Sequence, residues 1–155
     1  MEKESLTRLK ERAWEEIARG DYSGALAVIR LQMQKRVKQP PELVGIYGCC
    51  QAMALDKRRE GIDICKQALK ASPKNANLHF LLGVAYMSAE LRGRAVESFQ
   101  EGLEIDPNHS LIQKAMRELG NRQKRPIPFL PRSHPFNVAI GRKLYERRLQ
   151  KQKRA

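Results

Sequence analysis

Apolar side chains recur along this chain at helical spacing, in paired windows. Leu78, Leu82, Ala85 and Tyr86 mark one window, and Ala95, Val96, Phe99 and Leu103 mark the next. Steps of three and four residues place each set on one side of a helix. Within a pair, the windows are parted by short breaks at Asp21, Asp56 and the Ala89-Glu90 step. Between pairs stand Pro41, Pro73 and Pro107, which stop one helix or open the next, where a missing amide proton does least harm. The pattern predicts an all-α chain of antiparallel helix pairs. Beyond Asn108, HSLIQKAMRELG gathers Leu111, Ile112, Ala115, Met116 and Leu119 on one side, as a helix covering the end of a stack does, and Gly120 ends it.

The pairs are copies of one another. LKASPKN at 69–75 aligns with LEIDPNH at 103–109, which sets Pro73 and Pro107 34 residues apart. Upstream, GIDICKQALKASP at 61–73 aligns with AVESFQEGLEIDP at 95–107. A third copy begins at GDYSGALAVI, 36 residues before the next, with Pro40-Pro41 marking the extra length. The order Leu82-Gly83-x2-Tyr86, then Ala95-x3-Phe99, then Pro107 resembles the tetratricopeptide repeat family. The resemblance covers residues 6 to 109, in repeats of about 6–39, 42–75 and 76–109. In the second repeat Gly48, Cys49 and Ala52 replace the usual Leu, Gly and Tyr, and the first helix of the first repeat departs furthest. The implied fold is a right-handed superhelix of helix pairs over 1–121, closed by a capping helix at 109–120.

In that family the first helix of each pair lines a concave groove that holds a segment of a partner. The slots carried over by alignment are Lys10, Trp14 and Ile17, then Leu43, Ile46, Cys50 and Met53, then Asn77, Phe80, Val84 and Met87. Some family members grip the terminal carboxylate of chaperone tails with Lys, Asn and Arg. Lys10 fits one such slot, but Trp14, Cys50 and Val84 stand where other polar residues are expected, so that activity is not carried over. An apolar lining implies an apolar or amphipathic protein segment as partner; alternatively the capping helix or the tail closes part of this surface. Gly45, Gly48, Cys49 and Ala52 form a small-residue face whose two glycines cost the helix about 1 kcal/mol each. Close approach of Leu26, Ile29, Leu31 and Met33 is the expected compensation.

Composition narrows the function. At 155 residues, 41% hydrophobic and 30% charged, the chain has a globular balance. It holds no apolar run near the roughly 18 residues that span a bilayer, and MEKESLTRLKERAWEEI is charged where a signal peptide is apolar, so the chain is expected to stay in the cytoplasm. Cys49, Cys50 and Cys65 suit small buried side chains better than a disulfide framework or a zinc site. No nucleophile and acid are arranged about His79, His109 or His134 as a triad requires, and HExxH, GxxxxGK and GxGxxG are absent. The expectation is a protein without catalysis, cofactor or metal, with His79 as a helix-packing side chain.

Charge singles out the tail. Residues 1–120 hold 19 Lys and Arg against 16 Asp and Glu, whereas 121–155 hold 11 against Glu146 alone. KRPIPFLPRSHPF, at 124–136, cannot be helical and carries Ile127, Phe129 and Leu130 as anchors for docking on the protein's own repeats or on a partner. A basic amphipathic helix is expected over 136–152, with Arg142, Lys143, Arg147 and Arg148 on its polar side. Such a tail suits an anionic membrane, RNA or ribosomal phosphates, or an acidic protein surface.

Overall fold

The computed structural model describes residues 2–35 and 37–120. The proline strip and the basic helix expected at 136–152, with all the tail contacts named above, lie outside the described residues. By its contacts the chain divides into Met1–Glu118 and Leu119–Ala155, and the fold below is that of the first unit. Among the described residues there are seven helices and no strand: α1 Glu2–Arg19, α2 Tyr22–Met33, α3 Pro41–Ala54, α4 Arg58–Ala71, α5 Ala76–Ser88, α6 Arg92–Ile105 and α7 Ser110–Glu118.

Three helix pairs, α1/α2, α3/α4 and α5/α6, stack in chain order. The second helix of each pair also packs on the first helix of the next, α3 touches α5, and α7 closes the series against α6. Such a solenoid is stabilised only between neighbours. Helices α3 and α5, PELVGIYGCCQAMA and ANLHFLLGVAYMS, are apolar nearly all round, and a helix of that kind must be buried on most sides. In α5 every residue from Leu78 to Tyr86 is buried. The fully buried Ile29, Leu43, Ile46, Leu78, Leu81, Phe99 and Ile112 carry one core from the first pair to α7.

Each pair turns back on itself in the same way. Gly20, Asp56 and Glu90 hold one repeat position and share left-handed φ values of +83°, +56° and +60°. That conformation lets the following amide reach back: Asp21 N–H donates to Glu16 O at 2.9 Å, Lys57 N–H to Gln51 O at 3.0 Å and Leu91 N–H to Tyr86 O at 3.0 Å. Only the first copy has glycine there. The longer connection between the first and second pairs is tied where Gln32 Nε2 donates to Gln39 Oε1 and Gln39 Nε2 to Gln32 O, both at 3.0 Å.

The small-residue face of α3 meets other neighbours than the sequence led us to expect. A Cβ at Gly48 would fall 2.8 Å from Gly61 O and 2.9 Å from Ile64 Cγ2 of α4, and one at Gly45 would strike Leu78 of α5. Leu26, Ile29, Leu31 and Met33 of α2 are not the groups that need this space, and Leu31 is 76% exposed. The close approach is α3 to α4, glycine against glycine. It brings Cys65 Sγ to 3.4 Å from the carbonyl of Gly45.

The turn row yields a prediction of sign. Glu90 is exposed and bears left-handed strain of about 1–2 kcal/mol, part of which glycine relieves after its greater unfolded-state entropy is counted. Glu90→Gly is expected to raise Tm by a few degrees in thermal denaturation, whereas Gly20→Ala lowers it.

Candidate functional site

The first helices present their ends side by side, and one side chain joins them. Glu42 follows Pro41 in the first turn of α3, where an acid is stabilised by the helix dipole. Its Oε1 accepts Trp14 Nε1–H and Asn77 Nδ2–H, each at 2.8 Å, and its Oε2 accepts Lys10 Nζ at 3.0 Å. Lys10 and Trp14 belong to α1 and Asn77 to α5, so Glu42 sits on the one side of α3 that both neighbours share. The carboxylate is drawn in, at 15% exposure against 38% for Lys10.

The chain of hydrogen bonds continues with defined polarity. A carboxylate only accepts, so Asn77 turns its amide nitrogen to Glu42 and its Oδ1 away. That oxygen lies 2.9 Å from His109 Nε2, which therefore carries the proton and donates. His109 Nδ1, left as acceptor, takes Ile112 N–H at 3.3 Å and caps α7. The four first-position helices are linked in one run: Lys10 and Trp14 to Glu42, Glu42 to Asn77, Asn77 to His109, His109 to α7. Beneath it Phe80 stands 6.1 Å from Trp14, 6.2 Å from Phe99 and 5.9 Å from the His109 ring, an aromatic cluster spanning α1, α5, α6 and the start of α7.

The slots expected to line a groove divide into two groups. Ile17, Leu43, Ile46, Cys50, Phe80 and Val84 are buried, while Lys10, Trp14, Asn77 and Met87 are half-buried and Met53 is 39% exposed. Lys10, Trp14 and Asn77 come together, but their polar atoms are turned onto Glu42. Sequence reasoning missed Glu42 and the role of His109. A signal for His109 exists: it lies 34 residues after Asn75, whose side chain likewise caps α5 by accepting from Asn77 N–H.

Titratable groups offer no catalytic set among the described residues. Burial pushes the Cys50 thiol up to about 12, with the charge of Asp21 adding to it, and raises Cys49 and Cys65 as well. Thiols so held are protonated and poor nucleophiles. His79 Nε2 donates to Pro73 O at 3.2 Å, and its buried Nδ1, 3.2 Å from a Glu101 carboxylate oxygen, makes no hydrogen bond. Among the described residues no three His, Cys, Asp or Glu side chains converge as metal ligands, and no helix is long and apolar enough to cross a membrane.

The helical fold resembles that of known proteins. Residues 52–119 match the family profile described as Tetratricopeptide repeat. Small glutamine-rich tetratricopeptide repeat-containing protein 2 of Mycosarcoma maydis is 28% identical over 99 residues, covering 62% of this chain; the chain spans 27% of that relative's length. Among solved structures, the first tetratricopeptide-repeat domain of Spaghetti (RPAP3), bound to the HSP90 peptide SRMEEVD, superposes with a TM-score of 0.53 at 18% identity, over 75% of this chain and 90% of that one. The Arabidopsis OM64 tetratricopeptide-repeat domain gives 0.50 at 15% identity, over 77% of this chain and 98% of that one.

Burial lowers the pKa of His109 below its ordinary 6.5, against opposing contributions from Asp106 and a backbone hydrogen bond. A base with a lowered folded pKa lends its full stability above the unfolded value and loses it as pH falls from there through the folded value. Protonation also removes the acceptor that holds Ile112 N–H. Wild type is therefore expected to melt well above His109→Ala at pH 7.5. The gap should narrow as pH drops below 6.5 in parallel thermal denaturations.

Proposed function

The helical unit is a tetratricopeptide-repeat domain, and on that premise we propose that the protein is a non-enzymatic, cytoplasmic adaptor. It holds an apolar or amphipathic protein segment against the side formed by α1, α3 and α5. The observation that carries this reading is the pair Met53 and Met87, equivalent positions 34 residues apart at the ends of α3 and α5, which keep flexible apolar side chains partly open while the apolar slots Ile46, Cys50, Phe80 and Val84 of the same helices are buried. Methionine adapts to partner shape at little cost. The domain of Spaghetti (RPAP3), solved with a bound peptide, offers a precedent for segment binding by this fold.

A photo-crosslinking residue placed at Met53 or Met87 is expected to trap the same partner polypeptide, and one at Gln67 on the exposed part of α4 to trap none. Equal trapping from all three positions removes the assignment of the binding side.

The tail supports a second contact. Its 11 Lys and Arg against one Glu suit an anionic surface, either an acidic part of the same partner or membrane or RNA phosphates, with Ile127, Phe129 and Leu130 as apolar anchors and Arg142, Lys143, Arg147 and Arg148 as charges. Truncation after Gly120 is expected to abolish the salt-sensitive part of binding and to leave the crosslinks at Met53 and Met87. Flotation with anionic liposomes and RNA gel shifts at rising salt separate the lipid and RNA alternatives from a protein contact.

A further inference from the structure

A carboxylate that collects donors from two other helices is held as a bound ligand is held. Trp14 Nε1–H and Asn77 Nδ2–H approach one oxygen of Glu42 at 2.8 Å, and Lys10 Nζ approaches the other at 3.0 Å. Two of these donors have contacts besides Glu42. Trp14 packs against Phe80 in a tilted ring contact, and Asn77 is held by the bond from His109 to its Oδ1. With the Glu42 side chain removed, the indole N–H and the amide N–H keep these other contacts, and Lys10, one α1 turn before Trp14, stays within reach of the same space.

We propose that Lys10, Trp14 and Asn77 form a carboxylate-receiving site that Glu42 keeps filled, making Glu42 the residue that turns this side of the repeats away from acidic segments. Two physical effects give it that power. Glu42 is tethered, so its carboxylate competes at an effective concentration on the order of millimolar or higher, above any free peptide at working concentration. An arriving carboxylate also meets a like charge that is already screened from water, where repulsion is strong. A partner segment therefore gains nothing from an acidic end here and is selected by its apolar side chains. The donor set is built for anions, yet the site presented to a partner is charge-satisfied.

The proposal rests on the adaptor reading for its biological meaning, but its test needs no natural partner. Trp14 is the single tryptophan of the chain and donates directly to Glu42, so its emission reports occupancy of the site. The full chain, as wild type and as Glu42→Ala, is titrated with sodium acetate, with sodium chloride at matched ionic strength, and with the peptide SRMEEVD. Wild type is expected to respond to none. Glu42→Ala is expected to show a saturable emission shift with acetate and not chloride, and to bind the peptide at least about tenfold more tightly than wild type, a difference of about 1.4 kcal/mol. Lys10→Met added to Glu42→Ala cancels that gain.

Peptide binding by wild type as tight as by the variant overturns the proposal, and so does a folded Glu42→Ala that ignores acetate. If Glu42→Ala loses its helical circular dichroism, melting decides: acetate is expected to restore the fold and raise Tm above its value in chloride, and equal melting in both salts overturns the proposal. Failed crosslinking at Met53 and Met87 with the acetate response intact removes the adaptor reading alone.

Discussion

The Glu42 carboxylate is the contact on which the arrangement of the repeats depends. A solenoid touches only its neighbours, so the first pair has few direct means of sensing the third. Glu42 supplies one, because a side chain rooted in α3 reaches α1 and α5 together and is continued through Asn77 and His109 to the capping helix α7. Hydrogen bonds to a charged group contribute about 1.5–3 kcal/mol each, and a buried donor left without its acceptor costs about 1–3. Such ties are comparable with the whole margin by which a small domain is stable. The clustered rings of Trp14, Phe80 and His109 lie against the same run, so packing and polarity fix the same register.

That economy shapes what is left for a partner. Side chains that could have formed a broad apolar trough, among them Ile46, Phe80 and Val84, serve as core. The polar groups beside them are committed to one another. What remains open along this row is narrow and soft, at Met53 and Met87, and the basic charge is gathered instead in residues 121–155. The domain keeps the frame of the solved structures it resembles, and its own acid holds the first helices together.

The helices, their pairing and their period were legible in the sequence because close packing imposes them. Two helices can pack along their length only if apolar side chains recur every three or four residues, and a stack can continue only if each pair repeats the last. The turn row was half legible: Asp21, Asp56 and Glu90 marked the breaks, but their backbone conformation is visible only once Gly20, Asp56 and Glu90 are seen to share it. Glu42 was hidden because an acid in a first helical turn already has a local explanation in the helix dipole. His109 was hidden because its two partners lie at opposite ends of the sequence scale, three and 32 residues away. The glycines of α3 announced a close neighbour without naming it, since absence of a side chain is compatible with any approaching helix. Only the backbone path distinguishes α4 from α2.

The most direct test of this account is the hydrogen exchange of the Trp14 indole N–H, observed by NMR as the single indole resonance of the full chain. If Glu42 accepts that proton in a screened site, the resonance should exchange far more slowly than in the unfolded chain and should lose its protection in Glu42→Ala. Exchange at the unfolded-chain rate in the native wild type would contradict the account at its centre.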